Sequence, residues 1–292
     1  MKKILVTGAG GQLGSALGRN IPDGFTVLLS DRQSLDITNR EKVTECLRGG
    51  EVHGIINAAA YTAVDKAETD ITTAEAVNTN GPAVLSAAAA ELGIHLVHVS
   101  TDFVFDGSKG KPYQPDDKTN PLSIYGRTKR DGEMAVLETE NLSASIIRTA
   151  WVYDLYGSNF VTTMLRLMAE KESLGVVADQ IGSPTHVDGL AAACWECLSN
   201  ETKGIRHWTD AGVASWYDFA VAIQEEANAV GLLDKRIPIR PLTTDQYPTP
   251  ATRPSYSVLA NSGEHALELL PKHWRKVLRS ACSSLTDSTV VD

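Results

Sequence analysis

Cysteine is scarce and scattered. Cys46, Cys194, Cys197 and Cys282 are the four in 292 residues, too few for a disulfide framework. The one C-x-x-C lies in "AAACWECL", a helix-like apolar run, so packing rather than metal binding is expected there. No apolar run reaches the roughly 18 residues that a membrane span needs, and the apolar part of the opening "MKKILVTG" is too short for a signal peptide. A cytoplasmic protein with no membrane partner is expected. Basic residues are in deficit, 27 Lys plus Arg against 36 Asp plus Glu for a net charge of -9, which argues against unspecific nucleic-acid binding. An anionic small molecule stays open, because a local Arg or Lys cluster or a helix N-terminus can hold phosphate. Internal repeats and low-complexity blocks are absent as well.

What is present is alternation. Short runs rich in Val and Ile predict strands at 3–8, 25–31, 54–60, 95–101 and 143–150, and helical spacing fills 12–20, 40–49, 72–92 and 127–138. Strands without polar alternation suit a parallel sheet covered on both faces. Strand–helix alternation of this kind predicts the α/β class with a Rossmann-like, doubly wound parallel sheet and ligands at the carboxyl ends of the strands. After residue 150 the regularity weakens. Helices are expected at 160–171, 189–200 and 215–231, an ordered but irregular proline-rich stretch at 236–259, and a loose tail at 283–292.

In "LVTGAGGQLGS", Gly8, Gly11 and Gly14 follow a hydrophobic strand and open a helix, with Gly10 in addition. Such spacing lets the chain turn tightly and lets backbone N–H groups approach a pyrophosphate, with Gln12 and Leu13 at the helix start. The next strand ends at Asp31, placed to accept the ribose hydroxyls of NAD, while Arg32 beside it suits a 2′-phosphate. The two signals conflict, so use of both NADH and NADPH is expected. Asp36 and Ile37 stand where an adenine would be flanked, or in a solvated turn, and the small residues Ala58, Ala59 and Ala60 follow the third strand, where a ribose could lie against the backbone.

The fourth strand ends in Ser100, Thr101 and Asp102, and "NPLSIYGRTKRDGE" follows with Tyr125 and Lys129 one helical turn apart. A hydroxyl at a strand end, a Tyr-x-x-x-Lys helix and a dinucleotide loop together fit carbonyl reduction. In that reading Thr101 holds the substrate carbonyl oxygen and Tyr125 gives it a proton. Lys129 lowers the phenol's pKa and grips the nicotinamide ribose, and the hydride comes from NAD(P)H.

The chain resembles the extended short-chain dehydrogenase/reductases, and within them the dTDP-4-dehydrorhamnose reductases. The resemblance rests on "TGAGGQLG", "NAAAYTAVDKAE", "VNTNGP", "STDFVFDG", "NPLSIYGRTKRDGE", "IRTAWVY", "DQIGSPT" and "PTPATRPSYSVL", eight segments in order along almost the whole chain. It implies NAD(P)H-dependent reduction of the 4-keto group of dTDP-6-deoxy-L-lyxo-4-hexulose, with Thr101, Tyr125 and Lys129 as the catalytic trio. It further implies that Val64, Asp102, Phe103 and Trp151 lie near the sugar and that Arg253 contacts the nucleotide. Asn78 reads as a structural hydrogen-bonder. On this basis residues 1–150 are the expected cofactor-binding part and 151–292 mainly a smaller substrate-binding region, with some chain returning to the first.

Related 4,6-dehydratases carry Thr-Asp-Glu at the strand end. Phe103 stands in the third position here and cannot transfer a proton, which disfavours dehydration. It also replaces the tyrosine common in the family. Some members form magnesium-bridged dimers through carboxylates of the first helix, but Ser15, Ala16 and Leu17 supply none. A metal-bridged dimer is therefore disfavoured while bound magnesium stays open, as does a monomer or a homodimer through another surface. The alternatives are another nucleotide-sugar reductase or epimerase with the same trio, and a non-catalytic regulatory subunit, which would tend to lack the Tyr or Lys.

Overall fold

A computed structural model describes residues 1–288. The chain runs β1 (Lys2–Thr7), α1 (Gln12–Arg19), β2 (Phe25–Ser30), α2 (Arg40–Gly49) and β3 (Val52–Asn57). It continues through α3 (Val64–Ala67), α4 (Ile71–Glu75), a π-helical turn (Ala76–Asn80), α5 (Gly81–Leu92), β4 (His95–Thr101), a 3-10 turn (Asp102–Val104), α6 (Ile124–Leu137) and β5 (Ala144–Thr149). The remainder comprises β6 (Val152–Tyr153), α7 (Phe160–Glu170), β7 (Leu174–Val177), β8 (Ile181–Gly182), β9 (Thr185–His186), α8 (Val187–Ser199) and β10 (Gly204–His207). Last come β11 (Ala214–Ser215), α9 (Trp216–Ala229), β12 (Ile239–Leu242) and α10 (Trp274–Ser288).

Six parallel strands form the main sheet in the order β2-β1-β3-β4-β5-β10. Chain direction across the sheet reverses between β1 and β3, and at such a switch point the strand ends leave a crevice for a ligand. Strands such as "KILVT" lack polar alternation because both faces are covered. One core, built on Ile4, Val6, Ile56, Val97 and Ile147, packs against α1 and α8. The other, built on Leu5, Ile55, Leu96 and Ile146, meets α2, α5 and α6. A third core joins α7, α9 and α10 through Met164, Met168, Phe219, Ile223, Trp274 and Leu278. The sixth strand of the main sheet comes from residues 204–207, so the chain returns to this sheet after α7 and α8 and before α9 and α10.

The irregular 236–259 stretch is tied down rather than free. β12 pairs with β7, Ser257 N donates to the Ile181 carbonyl, and Tyr113 N donates to the Val258 carbonyl, both at 2.8 Å. Two expectations need correction. The helix expected at 72–92 is interrupted by the π turn at 76–80. The tail expected to be loose from 283 continues α10 through Ser288, and its last residues, 289–292, lie outside the described part. Cys194 and Cys197 are buried on α8 in the first core. Among the described residues no helix is long and apolar enough to cross a membrane, and no cluster of three or more His, Cys, Asp or Glu could hold a metal ion.

Candidate active site

β1, β3 and β4 are adjacent and parallel, so their carboxyl ends lie side by side at one edge of the sheet. Gly8 turns with φ +71°, and a Cβ there would stand 2.7 Å from the Ala58 carbonyl carbon, so the loops after β1 and β3 touch backbone to backbone. A Cβ on Gly14 would lie 2.3 Å from Gly8 O, which lets α1 begin directly behind the loop. Gly11 is the N-cap of α1 with no side-chain cap, and the first turn carries no acid. The helix thus presents unsatisfied N–H groups and its positive dipole end without a competing carboxylate, the setting a pyrophosphate requires. Gln12 is held from the side, its Oε1 accepting from Asn159 Nδ2 at 2.9 Å, and Leu13 is buried beneath the helix. Gly8→Ala is expected to weaken dinucleotide binding at least tenfold, since a side chain at left-handed φ costs about 1–3 kcal/mol and the clash moves the loop. A fluorescence titration with NADPH checks this, alongside a melting curve.

At the end of β2, Asp31 is exposed and its Oδ1 takes the N–H groups of Gln33 and Ser34 and the Ser34 hydroxyl. These bonds hold its pKa below the usual carboxylate value and leave Oδ2 outside the turn. Arg32 is exposed beside it. Asp36 closes a similar turn on Thr38. Ile37 is buried in the core, and a Cβ on Gly81 would stand 2.4 Å from its Cδ1, so its side chain supports the rim from below. Ala58, Ala59 and Ala60 are half-buried beyond β3.

Tyr125 and Lys129 lie on α6, which is placed by close contacts that only glycine allows. A Cβ on Gly126 would sit 2.3 Å from Phe103 O, and one on Gly132 would sit 2.1 Å from Asn78 O. Ser123 caps the helix, its hydroxyl accepting from Gly126 N at 3.2 Å, and Glu68 accepts from Ile124 N at 2.9 Å. Asn78, in the π turn, clamps the loop after β3 to this helix. Its Oδ1 accepts from Tyr61 N at 2.8 Å and its Nδ2 donates to Thr128 Oγ1 at 3.2 Å. That is a structural hydrogen-bonder's position.

Thr101 ends β4 opposite Thr149 of β5. Its hydroxyl donates to Asp102 Oδ1 at 3.0 Å and accepts from Phe103 N at 3.2 Å, and Thr101 interacts with the Tyr125 phenol in the sense that favours its ionised form. Burial pushes the Tyr125 phenol up to about 12, with the Asp102 charge adding to the rise and Thr101 opposing it. This differs from the lowering expected from Lys129. The Lys129 ammonium donates to the Val99 carbonyl at 2.7 Å, and Lys129 is 2% exposed. Burial lowers Lys129 to about 8 while Glu133, one turn further on, opposes that shift. Asp102, 2% exposed, is raised to about 6 by burial.

Of the residues expected near a sugar, Val64 and Phe103 pack with Tyr125 in one small apolar cluster, Phe103 meeting the Tyr125 ring edge-on at 5.6 Å. Trp151 lies just past the end of β5 at φ +48°. It stacks on Trp216 with ring centroids 3.5 Å apart. Arg253 is drawn to the same rim as Val64 by a two-pronged pair with Asp65, at 3.0 and 2.8 Å. Sequence reasoning passed over Gly126, Gly132, Glu133, Arg148 and Trp216. The glycine pair inside a helix was the available signal, since glycine there costs stability unless close packing requires it.

The sequence pattern of the RmlD substrate binding domain family matches residues 1–286. A dTDP-4-dehydrorhamnose reductase of Aggregatibacter actinomycetemcomitans is 41% identical over 289 residues, covering 96% of this chain and 98% of the relative. Among solved structures, a dTDP-4-dehydrorhamnose reductase from Clostridium acetobutylicum superposes with TM-score 0.89 at 38% identity, covering 97% of this chain and 99% of the other. One from Bacillus anthracis, in complex with NADP, gives TM-score 0.88 at 35% identity, covering 96% and 98%. The glycine turn that opens α1, the burial of Thr101, Tyr125 and Lys129 together, and similarity over residues 1–286 agree, and the chain belongs to the RmlD family, whose relatives include the dTDP-4-dehydrorhamnose reductases.

Proposed function

We propose that this protein reduces the 4-keto group of dTDP-6-deoxy-L-lyxo-4-hexulose, yielding dTDP-L-rhamnose. The observation that carries the reading is Thr101 at the end of β4 with Tyr125 and Lys129 buried on α6 packed against that strand, and the glycine turn after β1 in the same parallel sheet, in a chain of this family. When bound, NADPH or NADH supplies the hydride. The loop Gly8–Gly11, the start of α1 at Gln12 and Leu13, and Ala58–Ala60 are the residues that would hold the cofactor, with Asp31, Arg32 and the Asp36–Ile37 turn toward its adenosine end. Residues 1–150 thus serve the dinucleotide and 151–292 mainly the substrate.

Tyr125 gives its proton to the developing alkoxide, a task suited to a phenol that burial keeps protonated at neutral pH. Lys129, anchored on Val99, keeps donors free for ribose hydroxyls. Val64, Phe103 and Trp151 form apolar walls for the sugar, and Arg253 is the cationic group at the rim for the nucleotide. Phe103 leaves the strand end without the second proton-transfer group that dehydration requires.

Incubating the purified protein with the dTDP-keto-sugar and either cofactor tests this. Nicotinamide absorbance is expected to fall with both NADPH and NADH, because Asp31 and Arg32 both stand exposed at the end of β2. Absence of cofactor oxidation with either one would refute the reading.

A further inference from the structure

Arg253 carries five N–H donors in one plane. Asp65, the second residue of α3, takes the end of that plane: its Oδ1 accepts from Nη1 at 3.0 Å and its Oδ2 from Nη2 at 2.8 Å. The other Nη1 hydrogen is shared between Thr249 Oγ1 at 2.5 Å and the Ala251 carbonyl at 3.1 Å. Nε–H and the second Nη2 hydrogen remain, side by side along one edge of the guanidinium. Among the described residues neither finds an acceptor, and the side chain is 22% exposed. Two parallel donors are the pattern that grips two oxygens of a phosphate. The frame behind them is stiff. Asp65 Oδ1 also accepts from Ala251 N at 3.1 Å, so one oxygen ties both backbone and side chain of the C-terminal segment. Pro248, Pro250 and Pro254 fix φ along that segment. Val64, the residue before Asp65, packs with Tyr125, so one short helix anchors Arg253 and touches the proton donor.

We infer that Asp65 is a positioning residue: it occupies one edge of the Arg253 guanidinium so that the other edge is presented, already oriented, to the diphosphate of the nucleotide sugar. Asp65 itself does not touch the substrate. This rests on the nucleotide-sugar reading above, which gives Arg253 the nucleotide; the new element is the carboxylate behind it. Its bond to Arg253 holds the Asp65 carboxyl below the usual carboxylate value, so the anchor is ionised at neutral pH. A carboxylate also repels a phosphate, but between exposed groups water and salt screen that repulsion. An unanchored arginine, by contrast, gives up its rotamer freedom each time a ligand binds. Orientation is therefore the larger effect, and removing Asp65 weakens diphosphate binding rather than strengthening it.

Calorimetric titration with dTDP tests it, on NADPH-loaded wild type, Asp65→Asn, Arg253→Gln, Arg253→Lys and the double variant Asp65→Asn with Arg253→Gln. Asp65→Asn is expected to weaken dTDP about tenfold and Arg253→Gln about tenfold to a hundredfold, the scale of one charge-assisted contact. The double variant is expected to bind no more weakly than Arg253→Gln, because Asp65 has nothing left to orient. Arg253→Lys is expected to match Arg253→Gln, since an ammonium keeps the charge but has no fixed edge. With the dTDP-keto-sugar, the Asp65→Asn loss is expected in KM and not in the turnover number, a split that a merely structural ion pair would not produce. An Asp65→Asn protein that binds dTDP as well as wild type, or better, would overturn the inference, because the carboxylate would then only compete with the phosphate. Losses that multiply in the double variant would overturn it too. Should Asp65→Asn fail to fold, Thr249→Val removes the hydroxyl acceptor on Nη1 instead. About a threefold loss of dTDP affinity is expected there, and an unchanged affinity would contradict the inference. Wild type that binds dTDP but leaves the cofactor unoxidised with the keto-sugar would refute the reductase reading alone, so the two failures are distinguishable.

Discussion

Tyr125→Phe is expected to lower the turnover number by roughly 10²–10⁴-fold, the usual worth of a positioned general acid, while leaving cofactor binding and fold intact. The ring stays, so the edge-on contact with Phe103 and the apolar cluster with Val64 persist. Thr101 keeps its bonds to Asp102 and to Phe103 N when the Tyr125 hydroxyl goes, so little change in stability is expected. What the variant lacks is a neutral donor within reach of the ketone. Because burial holds the phenol near 12, wild-type Tyr125 remains protonated across the neutral range, and the alkaline limb of the reduction rate belongs to Lys129. With its pKa near 8, Lys129 is charged below pH 8 and neutral above, so activity is expected to decline through that region in both wild type and Tyr125→Phe. Steady-state rates over pH 6–10 for the two proteins check both statements. Comparable turnover numbers would remove Tyr125 from the mechanism.

The largest structural effect is expected at Glu133 and Arg148, behind the site. Glu133 accepts from Arg148 Nε at 2.9 Å and Nη2 at 2.7 Å, with both side chains nearly inaccessible to solvent. Arg148 Nη1 also donates to the Pro115 carbonyl at 3.0 Å, and its guanidinium lies 5.0 Å from the centre of the Phe105 ring. The pair joins β5, α6 and the segment leading to α6. Removing one partner leaves a buried charge unpaired, which costs about 3–5 kcal/mol, so Arg148→Met is expected to lower the melting temperature by on the order of 10 °C. Glu133→Gln adds a functional signature. The Glu133 charge supports the protonated form of Lys129, so its loss is expected to move the alkaline limb of the rate to lower pH. The sign for stability follows from the same group. Folding depresses Lys129 from its ordinary 10.5 to about 8, so the folded state holds fewer protons than the unfolded chain in that interval. Lys129 therefore costs stability when charged, and this cost is relieved as pH rises from 8 to 10.5. Melting temperatures of wild type and Lys129→Met across that range measure it.

The first five strands were legible from unalternated Val, Leu and Ile runs, which burial on both faces explains for β1, β3, β4 and β5, while β2 at the sheet edge keeps Leu29 exposed. β10 was not: "GIRH" is four residues at the sheet edge with an Arg and a His in it. α10 carried a readable stripe, Trp274, Leu278 and Cys282 spaced by four and all buried, but polar neighbours diluted it. The break in the helix at 76–80 was hidden because "AEAVNTNG" reads smoothly as helix, and only the Asn78 bridge to Tyr61 and Thr128 accounts for the widened turn. In the site, residue types and spacing pointed to Thr101, Tyr125 and Lys129. The direction of each proton could not be read that way. It depends on the depth of burial, on the Val99 carbonyl that takes Lys129 and on Asp102 beside Thr101, all products of how β4 meets α6.

The most direct test of the central claim follows the hydride. The enzyme is given the dTDP-keto-sugar with NADPH carrying deuterium at the reactive nicotinamide position, and the sugar product is examined by mass spectrometry and NMR. One deuterium at C4 of the sugar is the predicted result. Deuterium at another carbon, or a sugar that is altered while the label stays on the cofactor, would contradict the assignment as a 4-keto reductase.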